Sequence, residues 1–229
     1  MQADIVLHQW EISPFCQKVA RALRYKGLDY STVDYNGLLG TRVARLSGVG
    51  KVPVLDVNGE RIQDSTRIAR YLDEHFPDAP LYPADAQQRV QVELWEDWAD
   101  ELLYWYEVHY RANDPEALDL AARHACEGRP AIERLAIKPS LKFALNLQLK
   151  SQGLGRMKTE DINAEFLHLL DRVDTALAPT GWLVGENMTM ADISVGSQLL
   201  EIDRTSKPMR GELWSRPHLA KMLKKLKSL

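Results

Sequence analysis

The sequence predicts an α/β plus all-α protein, with an N-terminal βαβαββα domain followed by an all-helical C-terminal domain. Strand and helix periodicities alternate over residues 1–76, whereas the second half carries helix patterns alone. Three prolines within residues 77–83 mark a connector between the two parts, because proline cannot continue a helix. We therefore place the domains at residues 1–78 and 84–229 of the 229-residue chain.

The chain begins with the pattern of a βαβ unit. Residues 5–7 form a short apolar run typical of a buried strand, and residues 15–25 then show helical spacing. Gly27 stands where that helix should end, since glycine is favoured just beyond helix C-termini. A second β-rich run at 30–35 follows after a short turn, so the helix can connect two parallel neighbouring strands.

The N-terminal domain is predicted to end in a hairpin and a helix. After a weaker helical segment at 41–46, Asn58 and Gly59 separate two runs of β-type residues, which is the strongest short-range signal for a hairpin. The spacing of residues 65–76 then predicts a helix with one apolar face. The resulting sheet is mixed, with the antiparallel hairpin at its end.

The C-terminal half is predicted to be a helical bundle. Thr189 and Asp192 have the spacing of a capping box at the start of one helix. The helical segments are residues 84–110, a broken region at 114–150, and residues 159–177, 190–205 and 216–226.

The composition argues against several classes of protein. Apolar runs are far shorter than the roughly 20 residues that cross a bilayer, and the N-terminus lacks a secretory signal, so we expect a cytoplasmic protein without membrane contact. The formal charge of −3 offers nucleic acid no overall attraction. Neither Cys16 nor Cys126 has the set of neighbouring Cys and His ligands that a zinc site needs, so no structural metal is expected.

The first candidate site is Ser13-Pro14-Phe15-Cys16, where the first strand ends and the first helix begins. A helix N-terminus presents free N–H donors and a partial positive charge, which favour an anion such as a thiolate. Ser13 could donate its hydroxyl hydrogen to that anion, or it could serve only as the helix N-cap. Cys16 could be a nucleophile or a small residue of the core.

Two further segments suggest a ligand with peptide character. Val52-Pro53 opens a β run, and a cis bond there would turn the backbone of Val52 outward, where a bound peptide could pair with it. Asp64-Ser65 precedes the next helix. Helix capping explains this pair, yet it could also hold a carboxylate and an ammonium group of one ligand.

Together these segments resemble the cytosolic glutathione transferase superfamily, whose members join a thioredoxin-like domain to a helical domain. The resemblance covers nearly the whole chain. It implies that glutathione is the cosubstrate and that Ser13 activates its thiol. It also implies that Val52-Pro53 contacts the cysteinyl backbone of glutathione and that Asp64-Ser65 holds the γ-glutamyl end.

Two departures from the family pattern bear on the site. The Asn-Pro that precedes the V-P segment in many relatives is absent here, and Lys51 becomes the candidate for binding the glycine carboxylate of glutathione. The run S-P-F-C also resembles the C-P-x-C of glutaredoxins, with Ser13 in place of the attacking cysteine and Cys16 at the second position.

The resemblance implies that a homodimer conjugates glutathione to small hydrophobic electrophiles, a detoxification reaction. We expect Phe15, Tyr104 and Tyr106 to contact the substrates, and the two tyrosines belong to an aromatic cluster on the long helix after the connector. Two alternatives stay open. One is a glutathione-dependent thiol-disulfide reductase acting through Cys16, and the other is a non-catalytic binding module that keeps only the fold.

Overall fold

The computed structural model describes residues 3–229, and its strands are β1 (Ile5–Gln9), β2 (Ser31–Asp34), β3 (Val54–Val57) and β4 (Glu60–Gln63). They form one sheet in the order β2-β1-β3-β4. β1 runs parallel to β2, whereas β3 pairs antiparallel with both β1 and β4. The predicted mixed sheet and its terminal hairpin are confirmed.

Three helices complete the N-terminal domain, and a 3₁₀ turn precedes the second of them: α1 (Pro14–Tyr25), α2 (Val43–Leu46) and α3 (Ser65–His75). Leu7 and Leu55 of the sheet form one core with Val19 and Leu23 of α1 and Ile68 of α3, all of them fully buried. Burial of each such side chain contributes about 1.5–3 kcal/mol. The βαβαββα order is confirmed, because these apolar faces have the periods that the sequence predicts.

The described chain beyond residue 76 is helical, and its helices are α4 (Ala86–Trp98), α5 (Tyr104–Asn113), α6 (Pro115–Ala125), α7 (Arg134–Gln152), α8 (Thr159–Leu177), α9 (Met190–Thr205), α10 (Lys207–Ser215) and α11 (Pro217–Lys227). None of these helices combines the length and hydrophobicity needed to span a bilayer. The all-helical character of this region is confirmed, while the domain limits 1–78 and 84–229 stay a prediction.

Two details of the helical region differ from the sequence prediction. A π-helical segment, Ala99–Leu103, joins α4 to α5 within the stretch predicted as one regular helix. α10 is not predicted by the sequence, because Pro208 and Gly211 interrupt its pattern. Proline is nevertheless tolerated in the first turn of a helix, where its missing N–H has no intrahelical partner to lose.

α9 is the central helix of the helical region. Fifteen of its 16 residues are buried, and it packs against α1 and α4. The predicted capping box is present: the Thr189 backbone N–H donates to Asp192 Oδ2 at 2.8 Å, and the Thr189 side chain accepts from the Asp192 backbone. α9 therefore connects the N-terminal domain to the centre of the bundle.

Lys26, just after α1, holds the connector in place. Its buried ammonium lies 3.2 Å from Asp73 Oδ1 and donates to the carbonyl oxygens of Phe76, Asp78 and Ala79 at 2.7, 3.2 and 3.1 Å. These contacts give three backbone acceptors of the connector a charged donor. The proline-rich segment is therefore ordered against the N-terminal domain.

Candidate active site

The register of the sheet brings the three candidate segments to one edge. Val54, the first residue of β3, lies opposite His8 near the end of β1 and opposite Gln63, the last residue of β4. The segment before β3 and the segments after β1 and β4 therefore leave the sheet at the same edge. These are the segments that carry the candidate proline, serine and acid.

Ser13 is the N-cap of α1, with an extended backbone and a half-buried side chain. Its Oγ accepts a hydrogen bond from the Cys16 backbone N–H at 3.4 Å, and its own N–H donates to the Trp10 carbonyl at 2.9 Å. A hydroxyl that accepts through a lone pair keeps its own hydrogen for donation. The geometry is therefore compatible with both roles that the sequence leaves open.

Cys16 lies in the core, with none of its surface exposed. Its Sγ accepts from the Trp10 backbone N–H at 3.4 Å. Burial raises the pKa of the Cys16 thiol to about 12, although the hydrogen bonds from Trp10 and Ser13 oppose this effect. The thiol is thus neutral near pH 7, which does not favour its candidate role as a nucleophile.

The Val52-Pro53 peptide bond is cis, as the sequence predicts. Pro53 is buried and Val52 is half-buried at the start of β3. In the preceding loop, Ser47 Oγ donates to the Lys51 carbonyl and accepts from the Lys51 N–H, both at 3.0 Å. Lys51 itself is exposed, so its ammonium is accessible to a ligand at this edge.

Asp64 caps α3 from an unusual backbone conformation. Its φ is +80°, which is unfavourable for a residue that has a Cβ. Its Oδ1 accepts from the backbone N–H groups of Thr66 and Arg67, both at 3.1 Å, which compensates for part of that strain. Ser65 is the buried first residue of α3, while Asp64 is exposed at the edge.

The two candidate tyrosines lie in different environments. The Tyr104 ring contacts the Phe15 ring across the two parts of the chain, with centroids 5.1 Å apart, and its hydroxyl donates to Gln148 at 3.4 Å. Tyr106 is 4% exposed and packs against Phe166 in the core. The structure therefore groups Phe15 with Tyr104 beside Ser13, and it does not support substrate contact by Tyr106.

A buried ionic cluster beside the first turns of α1 and α3 is not predicted by the sequence. Lys18 is 1% exposed, and its Nζ lies 2.7 Å from Glu96, 2.6 Å from Asp100 and 3.3 Å from Thr66 Oγ1. Burial by itself would lower the pKa of the Lys18 ammonium, but Asp100 and Glu96 outweigh it and the pKa is raised. The cluster joins α1, α3 and the start of the helical region.

The turn between β1 and α1 is also held by the helical region. Trp10 Nε1 donates to the Ala125 carbonyl at 3.4 Å. Asn36 accepts from the Glu11 backbone N–H at 3.2 Å and donates to the Glu127 carbonyl at 3.0 Å. No local pattern could have identified these residues, because their partners are far away in sequence.

Comparison with known proteins identifies the family. Residues 7–80 match the sequence profile of a family described as "Glutathione S-transferase, N-terminal domain". Residues 7–80 therefore place the N-terminal part of the chain in the glutathione S-transferase superfamily. The chain is 33% identical over 101 residues to glutathione S-transferase U7 of Arabidopsis thaliana, and 35% identical over 93 residues to glutathione S-transferase Z2 of the same plant.

These alignments cover part of each protein. The first spans 43% of this chain and 44% of the relative, and the second spans 39% and 42%. The chain therefore spans less than half the length of these two relatives.

Solved structures resemble the whole chain. Beta-etherase LigF from Sphingobium sp. strain SYK-6 has a TM-score of 0.71 at 19% identity and covers 98% of this chain and 95% of its own, a likeness that shows the fold alone. A glutathione S-transferase from Methylobacillus flagellatus KT, solved with GSH bound, has a TM-score of 0.60 at 25% identity and covers 97% and 94%. The predicted thioredoxin-like plus all-helical fold is thus confirmed.

Proposed function

We propose that this protein is a glutathione transferase that conjugates the glutathione thiolate to small hydrophobic electrophiles. The observation that carries the proposal is Ser13, a half-buried serine at the N-terminus of α1, whose hydroxyl can donate its hydrogen to an anion bound there in place of the Cys16 thiol. Ser13 and the N–H groups of the first turn of α1 act together on one anion.

The thiol must be ionised near neutral pH for this reaction. Lowering a thiol pKa from about 8.5 to about 6.5 requires about 2.7 kcal/mol of preferential stabilisation of the thiolate. A hydrogen bond to a charged group contributes about 1.5–3 kcal/mol. The Ser13 hydroxyl could therefore supply most of the shift, with the helix N-terminus supplying the rest.

The remaining candidates surround the peptide part of glutathione. The backbone of Val52 pairs with the cysteinyl residue, and the ammonium of Lys51 binds the glycine carboxylate. The γ-glutamyl ammonium binds Asp64, whose second carboxylate oxygen is free of the two backbone bonds that Oδ1 accepts. The γ-glutamyl carboxylate binds the Ser65 end of α3, where the helix dipole favours an anion.

The electrophile lies against the Phe15–Tyr104 pair. This pair bridges the N-terminal domain and the helical region, and Phe15 is two residues from Ser13, so we place the apolar substrate there, next to the thiolate. Aromatic side chains bury large apolar areas and favour flat or aromatic substrates.

The two alternatives have less support. Thiol exchange through Cys16 requires an accessible, ionised thiol, whereas Cys16 is fully buried and its pKa is raised to about 12. A non-catalytic module would not need a hydroxyl, such as that of Ser13, that can donate to an anion at the α1 N-terminus. This second alternative is decided by measuring glutathione affinity.

A titration and a crystal structure test the proposal. We expect glutathione to bind with its sulfur within hydrogen-bond distance of Ser13 Oγ, and its thiolate absorbance to appear well below the pKa of the free thiol. Turnover of 1-chloro-2,4-dinitrobenzene is the activity assay. Absence of glutathione from the site at Ser13, Val52 and Asp64 at saturating concentration would refute the proposal.

We also propose a cytoplasmic homodimer that serves in detoxification. Exposed apolar side chains stand on α4 and α7, with Leu94 63%, Phe143 72% and Leu147 57% exposed. Phe143 and Leu147 are four residues apart on α7 and so lie on one face of that helix, which makes this face the candidate interface. Light scattering after size exclusion measures the mass, and we expect Phe143→Asp to weaken association while the exposed control Lys221→Asp leaves it unchanged.

A further inference from the structure

We infer that Arg204 of α9 is a positioning residue for Ser13, because it fixes the turn of residues 10–13 from the helical region. The inference rests on the proposed function, since it concerns how the thiol-activating hydroxyl is held. Arg204 and Glu11 are 193 positions apart in the sequence.

Arg204 contacts Glu11, in the middle of the turn, through both the side chain and the backbone of that residue. Its Nη1 makes a close ion pair with Glu11 Oε1, and its Nη2 donates to the Glu11 backbone carbonyl at 3.4 Å. Both side chains are about three-quarters buried, at 25% and 23% exposure. A planar guanidinium contacts the side chain and the backbone of one residue through two separate nitrogens in a fixed geometry, whereas a lysine offers a single nitrogen.

The position of Glu11 determines the position of Ser13. The two residues are two apart in a tight turn, and the Ser13 N–H donates to the Trp10 carbonyl at 2.9 Å within that turn. Gln17 Nε2 also donates to the Glu11 carbonyl at 2.8 Å, so the same carbonyl links α1 and α9. A shift of Glu11 would therefore move the Ser13 hydroxyl relative to the α1 N-terminus.

Arg204 is itself held by a chain of alternating charges. Its Nη2 lies 2.8 Å from Glu201 Oε2, and the same oxygen lies 2.8 Å from Arg111 Nη2 of α5, which also pairs with Glu107. Burial by itself would lower the pKa of the Arg204 guanidinium, but Glu201 and Glu11 outweigh it and the pKa is raised. The guanidinium that binds the turn is thus charged, and its ion pairs connect it to residues of α5 and α9.

Arg204 acts through the turn and not on the substrate. Its guanidinium contacts Glu11 and Glu201, and neither belongs to the set of residues proposed to bind glutathione. The helical region therefore contributes to thiol activation as well as to the electrophile site. Catalytic geometry of this kind needs support from rigid elements around it.

The test compares Arg204→Gln and Arg204→Lys with the control Arg210→Gln. Arg210 also binds α9, through the Asp203 carbonyl at 2.9 and 2.7 Å, and its ion pair is with the same residue of the helical region. The first readout is the pKa of the bound glutathione thiol, from its thiolate absorbance. The second is hydrogen exchange of residues 10–16 in the ligand-free protein.

We expect Arg204→Gln to raise the bound thiol pKa by about one pH unit and to lower kcat/KM about threefold at pH 7 and about tenfold well below the thiol pKa, with the glutathione Kd within about threefold. Arg204→Lys should be intermediate, because it keeps the charge but loses the second contact. Exchange at the turn should quicken in Arg204→Gln and stay unchanged in Arg210→Gln.

Equal thiol pKa values and equal exchange at the turn in Arg204→Gln and Arg210→Gln would overturn the inference. If Arg204→Gln does not fold, Glu11→Gln is used instead. It removes the carboxylate that binds Arg204 and leaves the ion pair between Arg204 and Glu201 intact. If the wild-type protein binds no glutathione thiolate, the proposed function fails, while the exchange data still decide whether Arg204 fixes the turn.

Discussion

Replacement of Ser13 by Ala removes one hydroxyl that has two roles. As the N-cap of α1, its Oγ accepts from the Cys16 N–H at the long distance of 3.4 Å, so loss of the cap should cost about 0.5–1 kcal/mol of stability. As donor to a thiolate, the same hydroxyl contributes about 1.5–3 kcal/mol. Since one pKa unit equals about 1.4 kcal/mol, the bound thiol pKa should rise by about one to two units.

From a bound thiol pKa of about 6.5, the thiolate fraction at pH 7 should therefore fall by about three- to twenty-five-fold, and kcat/KM with it, and well below the pKa the loss should reach about ten- to a hundredfold. The assay is a pH titration of thiolate absorbance, together with the pH dependence of kcat/KM and thermal unfolding. Ser13→Thr keeps a hydroxyl and should retain most of the activity. Cys16→Ala removes a fully buried thiol, so it should lower stability and leave the bound thiol pKa unchanged.

Two results would refute this reasoning. A Ser13→Ala variant that loses stability without any rise in the bound thiol pKa would make Ser13 an ordinary N-cap, with the backbone N–H groups of α1 stabilising the thiolate. A Cys16→Ala variant that is more damaging to turnover than Ser13→Ala would instead favour thiol exchange.

Three further predictions follow from the structure. Ser65→Ala should raise the glutathione KM about tenfold or more in steady-state kinetics, because a hydrogen bond to a charged group is lost; an unchanged KM with lower stability would leave Ser65 a structural residue. Iodoacetamide should alkylate Cys126 before Cys16 in the native protein, as read by peptide mass spectrometry, because Cys126 is 5% exposed whereas Cys16 has no exposed surface and burial raises its pKa to about 12; faster reaction of Cys16 would contradict this. Lys26→Met should lower the free energy of unfolding in urea by about 3–5 kcal/mol, since it leaves Asp73 and the connector carbonyls without their buried cation; a loss below about 1 kcal/mol would show that water replaces the ammonium.

Local rules account for the parts of the fold that the sequence predicted. The hairpin at Asn58-Gly59 requires positive φ, and both residues adopt it, at 50° and 88°. The capping box at Thr189 and Asp192 depends on a spacing of three residues. Such features need only neighbouring residues, so they are visible without tertiary contacts.

Features that depend on which side of a helix is buried were predicted less well. Tyr104 and Tyr106 belong to the same aromatic cluster in the sequence, yet the first contacts Phe15 and the second packs against Phe166. Composition shows that a helix this aromatic must bury most of its rings, but not which ones. The π-helical segment Ala99–Leu103 rotates the following residues relative to a regular helix, which periodicity cannot anticipate.

The sequence by itself determined the order of the elements, the superfamily resemblance and the identity of Ser13, Pro53 and Asp64 as candidates. Only the tertiary structure brought these residues to one edge, because strand register and the crossover of α1 decide which loops meet. The tertiary structure also shows that Cys16 is buried in the core and that Arg204 pairs with Glu11. The physical reason is that periodicity depends only on residues that are close together in the sequence. Burial, desolvation and ion pairing depend instead on contacts with residues that are distant in the sequence.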